Sequence, residues 1–169
     1  MHIKTPFYSK AQIFTLVPLR VLIGWYFLYE GLIKLFTPNW TAFPYLMDSK
    51  GIFSGVFINM AENPHLLSAI NFINIYGLIL VGLSLILGCL TRLGYIGAIF
   101  FLILFYLSHP PLMHAKYLLP PEGSYLWVDK NLIILFAILV LMVFPTSRII
   151  GLDRMIYRKR THKRNNINE

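Results

Sequence analysis

Charge is what this sequence has least of. Asp, Glu, Lys and Arg make up 13% of its 169 residues, against roughly 25% in a soluble domain. Cysteine is almost absent, with Cys89 the single example. A lone cysteine forms neither an intramolecular disulfide nor a CxxC pair, so dithiol redox chemistry within one chain is excluded and a structural zinc cluster is not expected. No nucleophile triad, phosphate loop, haem CxxCH or metal-spaced histidine cluster is present. His109 and His114 are five apart, but Pro110 and Pro111 break any helix between them. No metal or haem ligands are therefore evident. Nucleic-acid motifs are missing too, although the net charge is +8 and the pI about 9.7.

Apolar residues are what the chain has most of. They make up 57% of it, with a mean hydropathy of +0.64. This is a membrane-protein composition, and the length suits one compact domain. A spanning helix needs about 20 mostly apolar residues. Four segments qualify as spans, at about 13–36, 64–90, 93–109 and 131–147, the last being the shortest. The first is long and lacks an A-x-A-like exit site, so it is expected to stay as an uncleaved span. The expected fold is an all-α integral membrane four-helix bundle over residues 1–155, followed by a basic tail at 156–169.

Orientation follows from the basic residues. Arg148, Arg154, Arg158, Lys159, Arg160, Lys163 and Arg164 crowd the C-terminus, and Arg92 lies in the tight second connection. Both termini are expected to be cytoplasmic, with the tail touching anionic lipid rather than nucleic acid. The other two connections then face outward. In the first, GIFSGVFINMA is apolar but too short to span, which predicts an interfacial helical segment. Asn63 is placed to cap the second span and Pro64 to open it. Tyr117, Tyr125 and Trp127 in the second loop suit an interfacial aromatic belt.

Within the first span, Arg20, Gly24, Phe27, Gly31 and Lys34 repeat at 4-3-4-3 spacing, one seam of a packed helix. The glycines admit a neighbouring backbone. Glu30 lies one turn before Lys34 and can pair with it. A charge in the bilayer centre costs about 2.5 to 3.5 kcal/mol on insertion scales, so such residues usually face the bundle and have partners. Asn71, Asn74, His109, Asp129 and Asn131 are expected at the same outer level. Each has a modest role open to it: interhelical hydrogen bonds for the amides, a helix C-terminus for His109, an N-cap for Asp129. Together they outline a polar pocket in an apolar wall. Glu30, Lys34 and His109 are its candidate catalytic residues. Asn71, Asn74, Asp129, Asn131 and Arg20 are its candidate binding residues, although Arg20 sits in the inner half and can instead reach the inner headgroups.

Five stretches, RVLIGWYFLYEGLIKL, NFINIYGLILVGLSLILGCLTR, FYLSHPP, VDKNLIILFAILVLMVFP and GLDR, resemble the DoxX/DoxD family of small four-helix membrane proteins in their order and spacing. The resemblance spans roughly residues 15–155. It implies a bundle in the bacterial cytoplasmic (inner) membrane. Its DoxD branch implies a subunit of thiosulfate:quinone oxidoreductase, which works with a DoxA subunit and a membrane quinone. Many relatives carry an acidic residue in the outer half of the second helix, where this chain has Asn71 and Asn74. Two readings stay open. One is a quinone-linked oxidoreductase subunit with a DoxA-like or other oxidoreductase partner. The other is a non-catalytic scaffold or small-molecule carrier, in which Glu30–Lys34 is structural and a homo-oligomer is allowed.

Overall fold

The computed structural model describes residues 8–111, 117 and 128–154. Tyr125, Trp127, His114 and the tail at 156–169 lie outside the described residues. The chain forms α1 (Lys10–Phe36), α2 (Phe43–Met47), α3 (Ser54–Glu62), α4 (Pro64–Leu87), α5 (Thr91–Ser108) and α6 (Lys130–Val143), followed by a 3-10 turn at Thr146–Arg148. Helices α1, α4 and α5 are long and apolar enough to cross a membrane, and α6 is a shorter apolar helix. Large apolar side chains such as Leu22, Trp25, Phe72, Leu80, Phe136 and Val143 point outward, exposed. Such a surface fits a bilayer solvent, and helices suit it because they satisfy their own backbone polar groups.

Helices α1, α4 and α6 begin where a neighbouring side chain supplies a cap. Ser9 and Gln12 form a reciprocal capping box at the start of α1. The Asn63 side chain accepts from the amides of His65 at 3.1 Å and Leu66 at 3.3 Å. Asp129 accepts from the Leu132 amide at 2.8 Å. The second span ends at Leu87, earlier than the sequence suggests, because Gly88 turns into the left-handed region at φ 64°. The fourth ends at Val143 because Pro145 disfavours helical geometry at the residue before it and lacks an amide of its own. The first loop holds two helices where one was expected. Its α3 takes up most of the predicted apolar stretch and ends one residue beyond it, and the five-residue α2 precedes it.

Of the expected seam of α1, Arg20, Gly24, Phe27 and Gly31 are buried, with Ile23 beside them, and Lys34 at its outer end is part-buried. Its partner is α4, the most extensive helix pairing in the molecule. A Cβ at Gly82 would lie 2.5 Å from the Leu28 amide nitrogen and 2.7 Å from the Gly24 carbonyl oxygen. The two backbones therefore touch, and van der Waals packing rather than hydrophobic burial holds them in lipid. Around this contact a core forms from Phe27, Leu78, Leu85, Ala98, Leu102, Ile138 and Leu141. A second cluster of Ala42, Leu46, Phe57 and Ala61 seats α2 and α3 on Leu67, Ile70, Leu104 and Leu107. This end of the bundle is called the loop end below.

At the opposite, terminal end, the segment after α6 folds back onto the α4–α5 turn. The Leu152 amide donates to Leu87 O at 3.1 Å and the Asp153 amide to Gly88 O at 2.8 Å. The Asp153 carboxylate accepts from the Leu90 amide at 2.8 Å, the Thr91 amide at 3.2 Å and the Thr91 hydroxyl at 2.7 Å. It caps α5 from 62 residues away. Burial works against its charge, but these hydrogen bonds and one from Ser147 outweigh burial and hold its carboxyl below the usual carboxylate value.

Two outcomes follow. Gly82→Ala should lower the melting temperature in detergent, with an overpacking cost of about 1–3 kcal/mol. Gly55→Ala should not, because nothing lies within 4 Å of that site. Asp153→Ala should cost about 0.5–2 kcal/mol at neutral pH, the usual range for losing a cap. A depressed folded pKa stabilises above the unfolded value of 3.8, and that stability drains as pH falls through the lower folded value. The gap between wild type and Asp153→Ala should therefore narrow in acid melts below about pH 4.

Candidate functional site at the loop end

Lys34 extends from the last turn of α1 into the bundle. Its Nζ lies 3.3 Å from Glu30 Oε2, with the two side chains 16% and 39% exposed. The ammonium also stands 5.7 Å from the ring centres of both Trp40 and Phe105, a cation–π setting. Of its three N–H donors, one meets Glu30.

His109 caps the C-terminus of α5. Its ring stacks on Tyr45 of α2 at 4.0 Å between centroids and 26° between planes. Tyr45 in turn meets Phe105 edge-on at 6.2 Å. An aromatic wall thus joins Lys34 to His109 through Phe105 and Tyr45. His109 Nδ1 shares a 3.1 Å hydrogen bond with the Ser108 hydroxyl. Its Nε2 is buried without a hydrogen-bond partner, and Asp48 Oδ2 stands 3.9 Å away. Burial pushes the imidazole below its usual pKa; Asp48 pulls it back, and Lys50 adds to the depression. Burial also pushes the Tyr45 phenol upward, helped by Tyr26, Asp129 and Tyr117, while a hydrogen bond from Ser108 opposes the shift. The Tyr45 hydroxyl therefore lies within the electrostatic reach of α1, α6 and the second loop at once. The loop carrying α2 is fastened here by Ser49 Oγ donating to Ser108 O at 2.8 Å and by the Lys50 amide donating to the same oxygen at 3.1 Å.

The other sequence candidates divide. Asn71 is engaged in architecture: its Oδ1 accepts from the Ala42 amide at 2.8 Å and its Nδ2 donates to Thr41 Oγ1 at 3.3 Å. Asp129 caps α6 and accepts from Asn131 Nδ2 at 2.9 Å. Asn74 keeps a buried Oδ1 with no donor. Arg20 does not join them. It lies 14 residues before Lys34, about 21 Å along the helix at 1.5 Å per residue. Nor does it reach headgroups, because its side chain is buried against Thr146 and Ile150. Tyr45 and Ser108 escaped sequence reasoning. Tyr45 had no signal, since the loop contained no recognisable helix around it. Ser108 did stand beside His109 in FYLSHPP.

Beside this end, α5 and α6 leave a cleft lined by Leu102, Ile103, Tyr106, Leu107, Leu132 and Leu135, with Asn131. Among the described residues no group of three or more His, Cys, Asp or Glu could hold a metal ion.

Three spanning-length apolar helices, a shorter fourth, and polar groups gathered at the ends define an integral membrane helical bundle. Residues 15–110 match the family model described as DoxX, which is more than half of the chain. The chain belongs to the DoxX family. Neither the curated proteins nor the solved structures contain a match to it.

A depressed histidine pKa favours the neutral ring in the folded state. The stability it brings is complete above the unfolded value of 6.5 and is lost as pH falls through the lower folded value. His109→Gln should therefore flatten the loss of melting temperature between about pH 6.5 and 5. Parallel pH profiles for wild type and variant would count against the burial described here.

Proposed function

We propose that the chain is the membrane subunit of a quinone-linked oxidoreductase of the thiosulfate:quinone type. The observation that carries this reading is the Tyr45–His109 stack, with the buried, unbonded Nε2 at its edge. A quinone bound here would supply a flat ring with two carbonyl acceptors and take up two electrons and two protons. The Tyr45 hydroxyl carries a proton that it can donate to a carbonyl. His109 can deliver a proton from Nε2, and Asp48 at 3.9 Å favours the imidazolium that precedes delivery. The buried Asn74 Oδ1 is an acceptor in search of a donor.

The surroundings suit both reactants. The cleft between α5 and α6 has an apolar lining, suited to an apolar tail. Lys34, Lys50 and Lys130 stand over aromatic rings at the same end, and their field attracts an anion such as thiosulfate. Two thiosulfate ions joined by a new S–S bond release the two electrons that the quinone accepts. A DoxA-like partner subunit is the proposed route between them. In this reading the chain sits in a bacterial inner membrane with both termini cytoplasmic, and the loop end faces outward.

A non-catalytic scaffold is the second reading. It draws on Asn71, spent on the loop backbone, and on Glu30 and Lys34, which partner each other. The test is thiosulfate-dependent quinone reduction by the complex in nanodiscs. His109→Gln, Glu30→Gln and Lys34→Ala should each keep the folded yield. Loss of proton transfer in His109→Gln should slow turnover by about 10²- to 10⁴-fold. Normal turnover in His109→Gln and Lys34→Ala would sink the catalytic reading. The scaffold reading instead expects Glu30→Gln to melt earlier with no change in quinone-induced stabilisation.

A further inference from the structure

The terminal end holds a second buried polar site, on which the loop-end chemistry makes no demand. Arg20 and Tyr95 are each only 2% exposed. The Arg20 guanidinium has five N–H donors. One nitrogen donates to Thr146 Oγ1 at 3.3 Å and another to the Ile150 carbonyl at 2.8 Å. Both acceptors are neutral, and Nε is buried with no partner at all. The Tyr95 hydroxyl is buried and unpartnered in the same way. Tyr95 and Asp153 are the groups that act electrostatically on Arg20.

Asp153 does not neutralise this cation by contact. Among the described residues no carboxylate lies within 4.0 Å of Arg20. The Asp153 oxygens are already taken by the Leu90 amide and by the Thr91 amide and hydroxyl. Gly88 closes the guanidinium from the turn side: a Cβ there would stand 3.3 Å from one guanidinium nitrogen and 3.4 Å from Cζ. A buried guanidinium with no carboxylate in contact, whose Nε lacks an acceptor as the Tyr95 hydroxyl does, is an arrangement that proteins ordinarily complete.

We propose that Arg20 Nε–H and the Tyr95 hydroxyl together hold one compact inorganic anion of halide size, which locks the segment 144–154 onto the bundle. Both groups donate, so the ligand must accept. Their burial restricts it to a small species and keeps out a lipid phosphate. The anion balances the guanidinium that also grips Thr146 and Ile150, so it couples α1 to the chain beyond α6.

The test uses the full chain in detergent, without quinone, at constant ionic strength. Sodium chloride replaces sodium gluconate while the melting temperature is followed. Wild type should be stabilised saturably by chloride. Tyr95→Phe, which removes one oxygen, should raise the half-saturating concentration by roughly tenfold or more, as expected for one hydrogen bond to a charged group. Arg20→Gln should abolish the response. Crystals soaked in bromide should give an anomalous peak beside Arg20. A wild type indifferent to chloride, an unchanged response in Tyr95→Phe, or a water in place of bromide would each overturn the proposal. If Arg20→Gln fails to fold, Tyr95→Phe and the bromide signal still decide it.

Discussion

The contact between the backbones of α1 and α4 sets the register of everything else. Gly24 and Gly82 leave no room for a side chain between the helices. That contact lets Gly31 meet Ile75 and Ile79 on one side and brings Arg20 beside Gly88 on the other. In water such a pair would be held by apolar burial. In lipid the tails are as apolar as the helices, and close packing must supply the attraction. A shift along the seam would therefore lose the contact and misplace Lys34 and Arg20 together.

From this register comes a molecule that is apolar in the middle and polar at both ends. Both ends pair a hydrogen-bonded network with buried polar groups that lack a hydrogen bond. At the terminal end, Asp153, Thr91, Ser147 and the turn backbone bond one another, while Arg20 Nε and the Tyr95 hydroxyl stay buried without hydrogen bonds. The loop end combines the same two kinds of group. Ser49, Ser108 and Asn71 fasten the α2 loop, while His109 Nε2 and Asn74 Oδ1 stay buried without hydrogen bonds. Saturated networks rigidify, and unsatisfied ones hold capacity for a ligand or a proton.

Local rules reached far along the chain. Helix seams, caps and stops depend on residues three or four apart, so Asn63, Asp129 and the Arg20–Lys34 seam could be read directly. The Glu30–Lys34 pair was legible because its partners sit one turn apart. Long-range partnerships were not. Nothing near Thr91 announces that its cap is Asp153. Nothing in the loop marks Asn71 as the acceptor for Ala42. Tyr45 carries no motif, and its importance rests on stacking against a histidine 64 positions later.

By itself, then, the sequence determined the solvent of this protein, its spanning segments and the inward face of α1. Those depend on composition and periodicity, which are properties of neighbours in the chain. Only the tertiary structure decided which polar groups meet. It drew His109 to Tyr45 and Asp48, kept Lys34 against Phe105, and sent Arg20 to the far end beneath Thr146 and Ile150. The physical reason is that a buried polar group must find its partner through space. Here the helix register and the returning C-terminal segment choose that partner, and neither is written within a single helix.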